Sequence, residues 1–159
     1  MNSALELRAA RPDDAERIVV LIRELAAYER LAGQVEATPE RIAGSLFGPS
    51  PAAEAVMAEW DGQAAGFALF FRNFSTFVGR PGLYLEDLYV REAYRGRGIG
   101  KALLLHLAAI ARQRNYGRME WSVLDWNESA IRFYRALGAV PMDEWTVFRL
   151  DRDALERLA

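Results

Sequence analysis

Leu83-Tyr84-Leu85-Glu86-Asp87-Leu88-Tyr89-Val90 followed closely by Tyr94-Arg95-Gly96-Arg97-Gly98-Ile99-Gly100-Lys101-Ala102-Leu103-Leu104 is the stretch that decides how this chain folds. Its first part is apolar except for Glu86-Asp87 and reads as a strand over 83–90. Its second part sets glycines between cationic side chains and runs into apolar residues at helical spacing, which predicts a helix from about Ile99 to Arg114. Strand, glycine-rich turn and helix together make an anion site. The first N–H groups of a helix lack intrahelical acceptors, the helix dipole adds positive potential, and glycine lets a ligand approach the backbone. Several such N–H groups curled together can hold a pyrophosphate.

Two familiar phosphate loops fail here. A P-loop needs glycine where Arg95 stands and serine or threonine where Ala102 stands. The dinucleotide fingerprint needs its last glycine one residue later than Gly100. The pattern that fits is arginine-x-x-glycine-x-glycine over Arg95, Gly98 and Gly100.

Working outward, Leu5 to Arg8 alternates as a strand, and Arg11-Pro12-Asp13-Asp14 breaks it. Asp13 or Asp14 is placed to cap a helix whose apolar face is Ile18, Val19, Ile22 and Leu25. Thr38 caps a second helix with Pro39 at its first position. Ala55–Trp60 and Ala65–Phe71 are strands around the hairpin signal Asp61-Gly62, and Asn73 to Gly82 reads as a loop. Met119–Leu124 is a strand, Asn127–Leu137 a helix closed by Gly138, and Trp145–Leu150 a final strand. A hairpin-linked meander followed by a β-α-β crossover predicts an α/β fold. Its central sheet is mixed and mainly antiparallel, with helices on both faces and parallel pairing late in the chain. No linker or repeat interrupts the sequence, so 1–159 reads as a single domain.

Composition removes several kinds of function. At 159 residues and 52% apolar the chain can bury a core, which excludes a disordered protein. A formal charge of -2 argues against nucleic acid as a partner. No apolar run is long enough to span a bilayer and the first residues lack a signal-peptide core, so a cytoplasmic location is expected. Cysteine is absent, which leaves no thiolate nucleophile, and with His106 as the one histidine a metal site is not expected.

The sequence resembles the GNAT N-acetyltransferases, whose arginine-x-x-glycine-x-glycine loop cradles the pyrophosphate of acetyl-CoA. Tyr84-Leu85-Glu86-Asp87, Val90, Tyr94-Arg95-Gly96, Gly98-Ile99-Gly100, Trp126-Asn127-Glu128, Ile131, Phe133-Tyr134 and Gly138-Ala139 are similar to the spermidine/spermine, diamine and thialysine branch. Leu25-Ala26-x-Tyr28-Glu29 is similar to it too, so the likeness spans nearly the whole chain.

The resemblance implies a GNAT fold, acetyl-CoA as donor, a small-molecule amine as acceptor and a homodimer covering the apolar residues of the last strand. It implies that Arg95, Gly96, Arg97, Gly98, Ile99, Gly100 and Lys101 hold the pyrophosphate, chiefly through backbone. Leu88, Tyr89 and Val90 would pair with the pantetheine arm beside a bulge that frees N–H groups. Asn127 would bind that arm from the other side, with Glu128, Ser129 and Ala130 lining it. Asn127 can also cap its helix.

Tyr134 corresponds to the family's general acid, although its spacing with Ile131 and Leu137 also suits core packing. Glu86 corresponds to the branch's substrate contact and base, acting through water. An amine with a pKa near ~10 needs such an acceptor at neutral pH. On a regular strand Glu86 and Asp87 point to opposite faces, and a bulge would relax this. Tyr28 and Glu29 correspond to the cation-side contact. Other readings remain open at this point: a protein N-terminus or antibiotic amine as acceptor, or a non-catalytic acyl-CoA sensor.

Overall fold

A computed structural model describes residues 4–159 and divides the chain into two compact units, 1–122 and 123–159. The first unit holds one five-stranded sheet in chain order. Its strands are β1 (Leu5–Ala9), β2 (Glu54–Trp60), β3 (Gln63–Ser75), β4 (Arg80–Val90) and β5 (Met119–Trp121). The pairings are antiparallel up to β4, and β4 with β5 is parallel. Helix α1 (Ala15–Tyr28), α2 (Pro39–Phe47) and α3 (Ile99–Gln113) complete the unit. The mixed, mainly antiparallel sheet with late parallel pairing is what the order of sequence signals predicts.

Several local signals act as read. Thr38 Oγ1 accepts from the Arg41 amide at 3.2 Å, with Pro39 opening α2. Asp61 (φ 49°) and Gly62 (φ 77°) carry the paired left-handed conformations of a tight hairpin turn between β2 and β3. Asp14 departs from expectation. It precedes α1 but makes no side-chain cap there. Its carboxylate instead accepts from the Arg11 amide at 2.7 Å and from both terminal nitrogens of Arg8, at 2.7 and 2.9 Å. Arg8 also reaches Glu59 at 2.8 Å, so one buried guanidinium ties β1, β2 and the start of α1.

The run Ala64–Phe70 is buried without interruption, as a central strand covered on both faces must be. Phe67, Leu69 and Tyr89 pack with Ile18 and Leu21 of α1 and Leu46 of α2. The opposite face meets α3, where Arg114 lies 6.0 Å from the Phe70 ring and Gly100 stands against Val90.

Two sequence readings of the sheet are corrected. The stretch 73–82 is not a loop, because β3 runs to Ser75 and β4 begins at Arg80, pairing Asn73 with Gly82 and Ser75 with Arg80. Gly82 is packed between Asn73 and the Arg118 carbonyl, where a Cβ would stand only 2.6 and 3.0 Å away. That glycine marks close approach of chains rather than a turn. Strand β5 ends at Trp121 and does not reach Leu124.

The second unit holds α4 (Glu128–Ala136) and α5 (Arg152–Arg157). Trp145–Leu150 forms no strand; Val147 and Phe148 are 83% and 93% exposed. Its alternation specifies a strand only where a neighbouring edge pairs with it, and no ladder among the described residues takes it up. Helix α5 escaped the sequence reading, although Asp151 caps it by accepting from the Ala154 amide at 2.8 Å.

Candidate active site

The register of β3 against β4 builds the site. Leu69 pairs with Asp87 but Phe70 pairs with Leu85, so Glu86 is an extra residue with no partner across the ladder. Such a bulge resets the alternation of the strand. Before it, Tyr84 shares a face with its cross-strand partner Phe71, and their rings stack 5.1 Å apart. After it, Asp87 and Tyr89 share that face with Leu69 and Phe67. Glu86, two residues beyond Tyr84, and Asp87 both turn to the α1 side. The relaxation that a bulge would allow is therefore present, and it falls on the acidic pair itself.

Both side chains line a pocket of about 290 Å³ with Glu29, the residue that ends α1. Ile22, Leu25, Ala26, Leu31 and Val35 supply the apolar wall and Gln34 joins them. Three carboxylates crowd a partly dry space. Burial, then the charges of Glu86 and Glu29, push the Asp87 carboxyl up to about 7. Burial and then Glu86 raise Glu29 as well. Asp87 is the residue that the sequence reading missed. The resemblance implies a bulge in this strand, and the ladder fixes its place at Glu86.

On the other side of β4 the ladder stops at the same point. Strand β5 pairs with Leu83, Tyr84 and Leu85 only, so along Glu86–Val90 the edge of β4 turned away from β3 has no β5 partner. That edge leads into the glycine loop. Gly96 (φ 79°) and Gly98 (φ 77°) are both left-handed, and a Cβ added at either would meet nothing within 4 Å. Gly98 is the cap of α3, whose first residue is the buried Ile99. An open strand edge running into an open glycine cradle at a helix start fits an extended ligand that ends in a pyrophosphate.

The cations of the loop are distributed unevenly. Arg97 lies 4.8 Å from the Trp60 ring and 5.4 Å from that of Tyr94. Arg95 donates through Nε to the Val90 carbonyl at 3.0 Å and lies 5.0 Å from the Tyr28 ring. Lys101 is exposed in the first turn of α3, and His106 is a half-buried position further along it.

In the second unit, Asn127 caps α4, its Oδ1 accepting from the Ala130 amide at 3.4 Å and from the Ser129 hydroxyl at 3.3 Å. Glu128, Ser129, Ala130 and Tyr134 follow on that helix, with the Tyr134 ring 5.5 Å from Phe133. Gly138 (φ 92°) closes it. Among the described residues no group of three or more His, Asp or Glu is placed to hold a metal ion.

Residues 11–139 match the model of the acetyltransferase (GNAT) family. The chain belongs to the GNAT family. The thialysine N-epsilon-acetyltransferase of Bos taurus is 37% identical over 164 residues, covering 96% of both chains. The L-ornithine N5-acetyltransferase of Arabidopsis thaliana is 33% identical, covering 96% of this chain and 86% of that one. Among solved structures, an integron cassette protein from the mobile metagenome of V. cholerae superposes with a TM-score of 0.82 at 27% identity, covering 99% and 98% of the two chains. This GNAT chain is thus an acyltransferase of the branch its motifs resemble, and no helix among its described residues is long and apolar enough to cross a membrane.

Proposed function

We propose that this GNAT enzyme moves the acetyl group of acetyl-CoA directly to a primary amine of a small cationic acceptor: a polyamine, a diamine or a lysine-like amino acid such as thialysine. The carrying observation is the pocket where Glu29, Glu86 and Asp87 meet beside the open edge of β4. Clustered carboxylates favour a cation, and the apolar wall suits a short methylene chain.

In this reading the backbone of Arg95 to Lys101 holds the pyrophosphate. The edge of Leu88, Tyr89 and Val90 takes the pantetheine arm, and the family resemblance assigns Asn127, Glu128, Ser129 and Ala130 to that arm as well. The ammonium gives its proton to the Glu86–Asp87 pair. Glu86 is the exposed member that meets the amine, directly or through water, and Asp87 is the member whose proton affinity lies near neutrality. The neutral nitrogen attacks the thioester carbonyl, and an N–H of the β4 edge steadies the oxygen as it gains charge. The C–S bond breaks, and the Tyr134 hydroxyl protonates the leaving thiolate and regains a proton from solvent. With no cysteine in the sequence, transfer proceeds in a ternary complex without an acetyl-enzyme. We place the protein in the cytoplasm, as read from its composition, and propose a homodimer on the strength of the family resemblance.

The test is release of free coenzyme A across spermidine, spermine, putrescine, ornithine, lysine, thialysine, an aminoglycoside and a peptide with a free N-terminus. Turnover on the first six fits the proposal and names the acceptor. Turnover confined to the last two overturns the acceptor class. Coenzyme binding without turnover on any amine overturns the catalytic reading.

A further inference from the structure

The two ends of the glycine loop are tied to the body of the protein. At its entry Arg95 donates through Nε to the Val90 carbonyl at 3.0 Å, and at its exit Ile99 is buried in the first turn of α3. Between them Gly96 and Gly98 are both left-handed, and neither has a protein atom within 4 Å of where a Cβ would stand. Arg97 lies between these glycines and carries the one side chain of that stretch. Its guanidinium lies 4.8 Å from the Trp60 ring and 5.4 Å from that of Tyr94. Tyr94 precedes the loop directly, so its ring moves with the loop. Trp60 is different: it ends β2, and β3 lies between β2 and β4 in the sheet. Strand β3 opens with Gln63-Ala64-Ala65-Gly66, which brings no ring or branched side chain to that end of the sheet. The middle of the loop thus rests on a strand that is not its own.

Glycine gives up more backbone freedom on ordering than any other residue. A loop that is ordered only when its ligand arrives loses affinity by that entropy, and a loop held ready does not. From this geometry we infer that Trp60 is a positioning residue for the donor, an inference that rests on reading this loop as the acetyl-CoA site. The Trp60 ring holds the Arg97 guanidinium through its quadrupole, and Arg97 in turn holds the backbone N–H groups between Gly96 and Gly98 in the arrangement that takes the pyrophosphate. Trp60 is not among the residues that line the acidic pocket, so its loss leaves the amine side as it is.

The experiment compares Trp60→Leu and Trp60→Phe with the wild type, alone and in an Arg97→Met background, with a melting curve for each variant. Affinity for free coenzyme A is read by calorimetry. The amine KM and kcat are read at saturating acetyl-CoA. Trp60→Leu is expected to weaken coenzyme affinity about fivefold, the size of one cation–π contact, with amine KM and kcat within about twofold of wild type. Trp60→Phe, which keeps a ring, recovers most of the affinity. With the cation removed by Arg97→Met, Trp60→Leu adds little further loss. Trp60→Phe fills more of the site than leucine, and the same coupling is read from its smaller loss where Trp60→Leu does not fold. Unchanged coenzyme affinity in Trp60→Leu overturns the inference, as does a loss that adds in full to that of Arg97→Met. A fall in kcat and a rise in amine KM as large as the loss of coenzyme affinity also overturn it, because they mark a general loosening of the sheet. Wild-type protein with no affinity for coenzyme A removes this inference together with the reading of the loop as the donor site. Coenzyme binding by the wild type with any of the overturning results removes this inference alone.

Discussion

Glu86 and Asp87, neighbours on one strand, point to the same side of the sheet, because the ladder gives Asp87 a partner in Leu69 and gives Glu86 none. That places two carboxylates where a regular strand would place one. If the pair takes the amine's proton as proposed, the rate is expected to rise with pH, with a midpoint near the value of about 7 to which Asp87 is pushed. Glu86 contributes part of that push, so Glu86→Gln is expected to lower the midpoint as well as the rate. The pH profile of kcat at saturating amine checks this; a midpoint that stays put in Glu86→Gln counts against the pairing.

The same placement costs stability. Asp87 holds its proton more tightly folded than unfolded, since its carboxyl is raised from an ordinary value of 3.8. Its contribution to stability therefore falls as pH climbs from that ordinary value through about 7. Asp87→Asn is expected to melt at least ~2 °C above wild type at pH 8, with a smaller gap at pH 5, part-way back to the ordinary value of 3.8. Thermal unfolding at the two pH values measures the difference.

Asp14 behaves in the opposite sense. The Arg8 guanidinium, then the Arg11 amide, hold its carboxyl below the usual range against the effect of burial. Its stabilisation is present above the ordinary carboxylate range and is lost as pH falls through the depressed folded value. Asp14→Asn leaves Arg8 half-satisfied in a buried setting and is expected to cost about 3 kcal/mol at pH 7. Urea unfolding reads this directly, and the gap from wild type narrows in acid.

Gly98→Val tests the donor cradle. A β-branched residue at φ 77° is strained, and its side chain projects into space that holds no protein atom within 4 Å. Coenzyme affinity is expected to drop at least ~10-fold through crowding of the phosphate site, measured by calorimetry beside a melting curve that shows the protein folded.

Tyr134→Phe separates chemistry from binding. Turnover is expected to fall about 100-fold, the scale of one general acid, while coenzyme affinity holds. Unchanged turnover across pH removes the acid assignment.

How far the sequence carried the fold is clear from particular residues. Thr38-Pro39, Asp61-Gly62 and Asn127 act locally, through a cap or a turn that depends on a few neighbours, and each was readable. The stretch 73–82 and Trp145–Leu150 were misread because their state depends on which distant segment lies beside them. The acidic pair was visible as a pair. Its shared face was not, since one register shift between Leu69 and Phe70 decides it. The role of Asp14 was hidden for the same reason: its partner Arg8 lies on a strand, and the cap it mimics is local.

Beyond Leu85 the edge of β4 has no β5 partner. Unpaired backbone on a sheet margin templates association between molecules, and natural proteins blunt such margins with charge. Here that stretch opens with Glu86-Asp87, and Arg91-Glu92 follow its end. Charges at such a margin are of the kind that hold back self-assembly. Neutralising them to retune the acceptor therefore trades selectivity against solubility.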